Sequence, residues 1–277
     1  MKRNRLDERY PFVVTHHEVP IDRVPLSRPP EALESAIDAL IPDLRTERFI
    51  VHTENQRKVL QERVGDSTPV EVIPHGVNDM FRNYDYDERP EEDHTVLFFG
   101  HVIPAKGIDT LLEAIPIVRE RVPDVTLVIA GNGRLGTGSK RIIERYPANF
   151  EVHDSFIPND QVGEFFSRAA LVALPYRQQK GGTKGHSGAL ATAFSFGKPV
   201  VASAAGDFPS QVGESGAGAI VPPQDPEALA DAIVDLLEDR EKRARMAENS
   251  EKQAKRLSWD SIADRHLDLY ESVLDER

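Results

Sequence analysis

No cysteine occurs in the 277-residue chain, so a disulfide framework, a thiolate metal site and a cysteine nucleophile are all excluded. No apolar run approaches the roughly 18 residues of a membrane span, and the opening MKRNRLDERYPF has no apolar core of the signal-peptide kind. A cytoplasmic protein is expected, with the membrane surface as the one peripheral location. Basic charge is also scarce: the formal net charge is -12, and a phosphate backbone demands a basic face, so no nucleic-acid partner is expected. The Walker pattern G-x-x-x-x-G-K-[ST] is missing too, because Gly197-Lys198 is followed by Pro199. For metal, the nearest thing to an Asp-x-Asp signal is Asp85-Tyr86-Asp87, which lies in an acidic stretch with no strand to hold it.

What is present is alternation. Phe12 to Thr15, Arg48 to His52 and Val70 to Ile73 read as strands, with helices expected over Pro30 to Leu44 and Glu54 to Val64. This small α/β domain, residues 1–77, begins abruptly, as if its front half lay elsewhere. Asn78 to Asp93 carries a dense acidic run and no apolar period, which fits a linker or a solvated loop equally well. From Thr95 onward, continuous apolar strands alternate with amphipathic helices as far as Ala219 to Val221, the pattern of a parallel sheet covered on both faces. Residues 78–258 are therefore expected to form a Rossmann-like domain.

Three glycine-rich loops in this second part could hold a phosphate. GGTKGHSG opens into a helix that Ser187 can cap, with Gly185, His186 and Gly188 beside it; free N–H groups and the helix dipole would face an anion there. GHVIPAKG runs from Gly100 and His101 to Lys106 and Gly107 at the end of the first strand, placing an ammonium just before a helix. GNGRLG, with Gly131 and Gly133, matches the dinucleotide fingerprint G-x-G-x-x-G, and Glu151 lies where an acidic ribose ligand is expected, so a nicotinamide enzyme remains open. In the first part, Thr15, His16, His17 and Glu18 sit at the carboxyl end of a strand, where open α/β sheets bind ligands.

The ordered set FFGHVIPAKGIDTLLEA, VTLVIAGNG, VIPHGVN, SGALATAFSFGKPVVAS, GAIVPPQDPEALADAI and LSWDSIADRHLDLYESVL resembles a GT-B glycosyltransferase of the GT4-like, group 1 type. The resemblance covers the C-terminal donor domain and the end of the N-terminal domain. It implies a GT-B-like α/β fold: a Rossmann-like donor domain with a parallel sheet, preceded by a truncated second Rossmann-like domain. The final helix, residues 259–277, would pack back on the N-terminal part through Trp259 and Tyr270.

The implied activity is transfer of a hexose from a nucleotide-sugar, such as UDP- or GDP-hexose, to a carbohydrate or lipid-linked acceptor. Retention at the anomeric carbon, no metal and no cofactor are implied with it. THHE resembles the family's T-x-H-[DE], which makes His17 the catalytic candidate near the anomeric carbon. Donor contacts would fall on Gly100, His101, Lys106, Gly107, Gly131, Gly133, Gly185, His186, Ser187 and Gly188. The chain departs from the family pattern in three respects. An arginine frequent after the first-strand glycine is His101 here, the E-x7-E pair falls on Lys184 and Thr192, and the first strands and acceptor loops have no counterpart before Tyr10. A separate chain supplying that half is one expected partner. The competing readings are a non-catalytic or truncated nucleotide-sugar-binding module and, more distantly, a GT-B epimerase.

Overall fold

The computed structural model describes residues 10–20, 46–178, 182–184 and 187–276. These fall into two compact units, one of residues 10–20, 46–76, 182–184 and 259–276, the other of residues 77–178 and 187–258. The expected helix over Pro30 to Leu44 lies outside the described residues.

The first unit holds a three-stranded parallel sheet in the order β1-β3-β4, with β1 at Phe12–Thr15, β3 at Thr46–Val51 and β4 at Val70–Val72. Helix α1, Glu54–Val64, starts where the Thr53 side chain accepts a hydrogen bond from the N–H of Gln56, a cap that satisfies one of the orphan donors of the first turn. Phe49, Val51, Leu60 and Val70 form the buried core of this unit. Strand β2, Glu18–Pro20, pairs antiparallel with β9, Gly182–Lys184, with Glu18 opposite Lys184. That short piece of the glycine-rich loop thus clusters with this unit rather than with residues 78–258, because its backbone hydrogen bonds go to β2.

The chain's closing helix, residues Trp259–Asp275, belongs to the same unit: Ile262 and Val273 are buried, Arg265 donates to the carbonyl of Val72, and Arg48 forms a two-pronged ion pair with Glu276 at 2.6 and 2.7 Å. Of its two expected packing residues, Trp259 lies against Gly76, where a Cβ would come within 2.8 Å of the indole. Both are exposed, Trp259 at 49% and Tyr270 at 42%, and Tyr270 meets the ring of His266 on its own helix.

The second unit is built on six parallel strands in the order β7-β6-β5-β8-β10-β11. Their ranges are Thr95–Phe99 (β5), Thr126–Ala130 (β6), Phe150–His153 (β7), Leu171–Leu174 (β8), Val200–Ser203 (β10) and Gly218–Val221 (β11). Successive side chains point to opposite faces. Val96, Phe98, Leu127, Ile129 and Val201 meet α2 (Ile108–Arg121), α3 (Thr137–Arg145) and the helix Pro226–Glu238; Leu97, Val128, Val172, Leu174 and Val200 meet α4 (Asn159–Arg168) and α5 (Gly188–Ser195). Each large side chain sealed here, such as Leu111 or Phe166, contributes about 1.5–3 kcal/mol relative to exposure. This is why the strands read as unbroken apolar runs in the sequence.

The acidic stretch is not a free linker. Tyr86 packs on Gly163 and stacks edge-on to Phe196, and the consecutive carboxylates Glu91, Glu92 and Asp93 bond Lys198 at 3.0 Å, Arg168 at 3.0 Å and Arg243 at 2.6 Å. Each basic partner comes from a different segment of the second unit, so the run straps that unit. No helix among the described residues is long and apolar enough to cross a membrane.

Candidate functional site

Numbered within the second unit, the strand order is 3-2-1-4-5-6, so connections leave the sheet in opposite directions from β5 and β8. In open α/β sheets, a crevice forms beyond the carboxyl ends of such a pair, and ligands bind there. The loops that end β5 and β8 are Gly100–Gly107 and the stretch from Pro175 to Ser187, two of the three glycine-rich loops singled out from sequence.

The first loop folds back over its own lysine. Gly100 has φ of 104°, and a Cβ there would stand 2.6 Å from the Lys106 Nζ, so the ammonium rests on bare backbone. Lys106 ends a short 3-10 turn, Pro104–Lys106, and Gly107 in the left-handed region starts α2. Burial pushes the Lys106 ammonium below its ordinary range, and no carboxylate among the described residues offsets it. A half-buried cation with no counter-ion among the described residues is costly to the empty protein. An anionic ligand would remove that cost.

Tyr176 joins the two loops. Its ring lies 5.7 Å from Lys106 Nζ, and its hydroxyl is hydrogen-bonded to Ser187 Oγ at 3.0 Å. Burial raises the Tyr176 phenol above its usual value, which keeps it neutral and available for hydrogen bonding. Ser187 caps α5, accepting from the N–H of Leu190 at 3.3 Å. The small residues of this helix, GALATAFS, let it sink into the core, where every residue from Ala189 to Ser195 is buried. Asn78 donates to the carbonyl of Gly188 at 3.3 Å and its own carbonyl accepts from Ser195, fixing the helix at both ends.

Arg177 follows at once. Its N–H donates to the carbonyl of Ala105 at 2.9 Å, and its guanidinium reaches Asp109 at 3.1 Å; the other Asp109 oxygen accepts from Ser139 at 2.7 Å. The carboxylate in the first turn of α2 is thereby committed, while Arg177 Nε is buried without a hydrogen-bond partner among the described residues.

The third loop has a different place. A Cβ on Gly131 would strike the Gly100 carbonyl oxygen at 2.1 Å, and one on Gly133 the Val102 carbonyl oxygen at 2.3 Å. Hydrogen bonds from Gly100 N–H to Ala130 and from Val102 N–H to Asn132, each 2.8 Å, run alongside. These glycines allow one backbone to lie on another. Glu151 does not wait for a ribose: Arg168 binds both its oxygens at 2.9 Å and His153 takes one at 2.6 Å, interactions that hold its carboxyl below the ordinary range against the opposing effect of burial. His101 is exposed beside Gly100. Gly185 and His186 lie outside the described residues.

In the first unit, His17 is exposed and directly precedes β2. Its Nδ1 lies 2.8 Å from Nε2 of His52, a buried residue at the end of β3 whose Nδ1 is 2.9 Å from the carbonyl oxygen of Ile73. Gln56, fully buried in α1, clamps the two backbones: its amide donates to the His17 carbonyl at 2.9 Å and accepts from the His52 N–H at 2.8 Å. His75 stands edge-on to His52, and Trp259 edge-on to His75.

The sequence reading singled out neither Tyr176 nor Arg177, although residues directly after a β8-type strand could have been chosen by the carboxyl-end rule alone. His52 and Gln56 carry no local signal, since each meets His17 across 35 or more positions.

The family model described as glycosyl transferases group 1 matches residues 83–253, more than half of the chain. Among curated proteins, the chain is 31% identical over 258 residues to a D-inositol 3-phosphate glycosyltransferase of Salinispora tropica, covering 83% of this chain and 52% of that one. It is 30% identical over 221 residues to a GDP-mannose-dependent alpha-(1-6)-phosphatidylinositol monomannoside mannosyltransferase of Mycobacterium tuberculosis, covering 74% and 56%. The chain thus spans about half the length of the curated relatives it matches. Among solved structures it resembles a sucrose-phosphate synthase of Thermosynechococcus elongatus, with a TM-score of 0.72, 22% identity, and 99% and 71% of the two chains covered. It also resembles the Anabaena protein HepE in complex with UDP, with a TM-score of 0.72, 19% identity, and 95% and 73% covered. These likenesses carry the GT-B-like α/β fold expected from the sequence.

Proposed function

The chain belongs to the glycosyl transferases of group 1, and from that membership we propose that it binds a nucleotide-sugar and moves the hexose to a carbohydrate or lipid-linked acceptor. The observation that carries the reading is Lys106: a half-buried ammonium with no offsetting carboxylate among the described residues, joined through Tyr176 to the capped start of α5. The donor's diphosphate is the anion it awaits, as UDP- or GDP-hexose. Lys106 neutralises one phosphate, and the N–H groups at the start of α5, with Ser187 and Gly188, hold the other. Gly100 and Gly107 keep the backbone low enough for that approach. Gly131 and Gly133 act by shaping the Gly100 loop.

His17 meets the sugar near its anomeric carbon in this reading. Two facts support it: Thr15 to Glu18 match the family's T-x-H-[DE], and His17 follows the carboxyl end of β1, where open α/β sheets bind ligands. In the reaction, the bond from the anomeric carbon to the leaving phosphate oxygen breaks as the acceptor hydroxyl oxygen bonds to that carbon. The hydroxyl proton passes to the departing diphosphate, and configuration is retained. Fixed donors stabilise the charge that grows on the leaving group, so no metal is assigned a step.

The test uses wild type and His17→Ala. Wild type binds UDP or GDP by calorimetry and turns over a matching nucleotide-sugar, by transfer or by slow donor hydrolysis, equally with and without chelator. His17→Ala lowers turnover more than ~10-fold while nucleoside diphosphate affinity stays within about 1 kcal/mol. Turnover untouched in His17→Ala removes the catalytic role. Nucleotide binding with no turnover of any donor makes the chain a donor-binding module, and loss of turnover in chelator, restored by magnesium or manganese, assigns the step to a metal.

A further inference from the structure

The two hydrogen bonds of His52 decide what His17 can offer. A carbonyl oxygen can only accept, so the contact from His52 Nδ1 to the Ile73 carbonyl oxygen at 2.9 Å requires the proton of that ring on Nδ1. His52 is 8% exposed, and burial lowers its affinity for a second proton, outweighing the hydrogen bond to the Ile73 carbonyl that favours it. The ring is neutral, and its Nε2 is then a bare lone pair. The only way to make the 2.8 Å contact from that lone pair to His17 Nδ1 is for His17 to donate. We propose that His52 is a positioning residue that holds the proton of neutral His17 on Nδ1 and so presents His17 Nε2 as a hydrogen-bond acceptor.

The consequence is chemical selectivity. Neutral imidazole in water prefers its proton on Nε2, a form that would turn an N–H toward any ligand. With the proton held on Nδ1, the remaining nitrogen of this exposed residue accepts a hydrogen bond from a sugar hydroxyl and repels a lone pair. No described residue occupies it. Gln56 makes the arrangement rigid, because one side chain fixes the backbones of both histidines and so their spacing. That the hydroxyl belongs to a donor sugar rests on the function proposed above; the proton position does not.

The experiment is two-bond proton–nitrogen correlation NMR on the full chain labelled with ¹⁵N histidine, at about pH 8 where ordinary imidazoles are neutral. His17 signals are assigned by their loss in His17→Ala. Wild type should show both His17 and His52 protonated on Nδ1. In His52→Leu, which removes the acceptor, His17 should revert to the Nε2 form. His52→Gln, whose amide oxygen reaches the place of the imidazole Nε2, should keep the Nδ1 form. Turnover should follow the proton, falling more than ~10-fold in kcat for His52→Leu and recovering in His52→Gln. A wild-type His17 protonated on Nε2 overturns the proposal, as does a tautomer that is the same in wild type and His52→Leu. If His52→Leu does not fold, His52→Asn, whose shorter amide can replace Nδ1 at the Ile73 carbonyl but cannot reach His17, is read by the same criterion. A correct tautomer with turnover unaffected by His17→Ala would sink the catalytic reading of His17 and leave the proton assignment standing.

Discussion

Replacing Lys106 by methionine separates a ligand-binding lysine from a structural one, because the two roles predict opposite signs. Methionine keeps the linear apolar stem and deletes only the ammonium. In the empty protein that ammonium is partly desolvated, has no offsetting carboxylate among the described residues, and rests on the Gly100 backbone with the Tyr176 ring 5.7 Å away. Its removal should leave the ligand-free melting temperature unchanged or raise it. Nucleoside diphosphate binding should weaken by about 1.5–3 kcal/mol, the worth of a hydrogen bond to a charged group. At about 1.4 kcal/mol per tenfold, this is a loss of roughly 10- to 150-fold in Kd. A nucleotide concentration that is 100 times the wild-type Kd stabilises wild type by about 2.7 kcal/mol; the same concentration should give the variant only about 0.3–1.4 kcal/mol. Titration calorimetry with UDP and GDP gives the affinities, and melting with and without nucleotide gives the stabilities. A variant that melts lower when empty and binds with wild-type affinity would refute the reasoning and make Lys106 a structural residue.

Gly107→Ala should cost about 1–3 kcal/mol from backbone strain at φ 68°, with a further cost because the new Cβ would stand 1.8 Å from the Pro175 carbonyl oxygen. Denaturant melts check it, and a loss under about 0.5 kcal/mol would mean that the β5 and β8 loops do not pack as described. His52 gives a pH dependence: its folded affinity for protons lies below the unfolded value of 6.5, so the unfolded chain takes up the proton first on acidification. Its stabilising share is complete above about pH 6.5 and is lost as pH falls through the folded value; stability measured at about pH 7.5 and 5.5 should drop more in wild type than in His52→Gln, and an equal drop would contradict the burial argument.

The second unit was legible because its signals are local. Continuous runs such as Thr95 to Phe99 and Leu171 to Leu174 announce strands buried on both faces, and Ser187 before a small-residue helix announces its cap. Glycine patterns were legible as places where something comes close, but not as to what. At Gly131 and Gly133 the neighbour is the protein's own Gly100 to Val102 backbone, which the fingerprint G-x-G-x-x-G cannot tell from a dinucleotide. Composition misled at Glu91 to Asp93, since a run of carboxylates looks solvated until Lys198, Arg168 and Arg243 are brought to it by the fold. The histidine pair was beyond reach for the same reason. His17 was found through a motif, while His52 and Gln56 act on it from another strand and helix, and no periodicity in the sequence relates them.

Trp259, seated against Gly76 and edge-on to His75, is the one tryptophan in the chain. Its emission therefore reports on the first unit alone, whereas far-ultraviolet circular dichroism is dominated by the helices of the second. Followed side by side during denaturation, the two optical signals ask whether the chain unfolds in one cooperative step or in two. Coincident curves would make the pair a single thermodynamic body. Separated curves would let the second unit be titrated with nucleotide, as proposed for it, while the fluorophore stands by as an internal control.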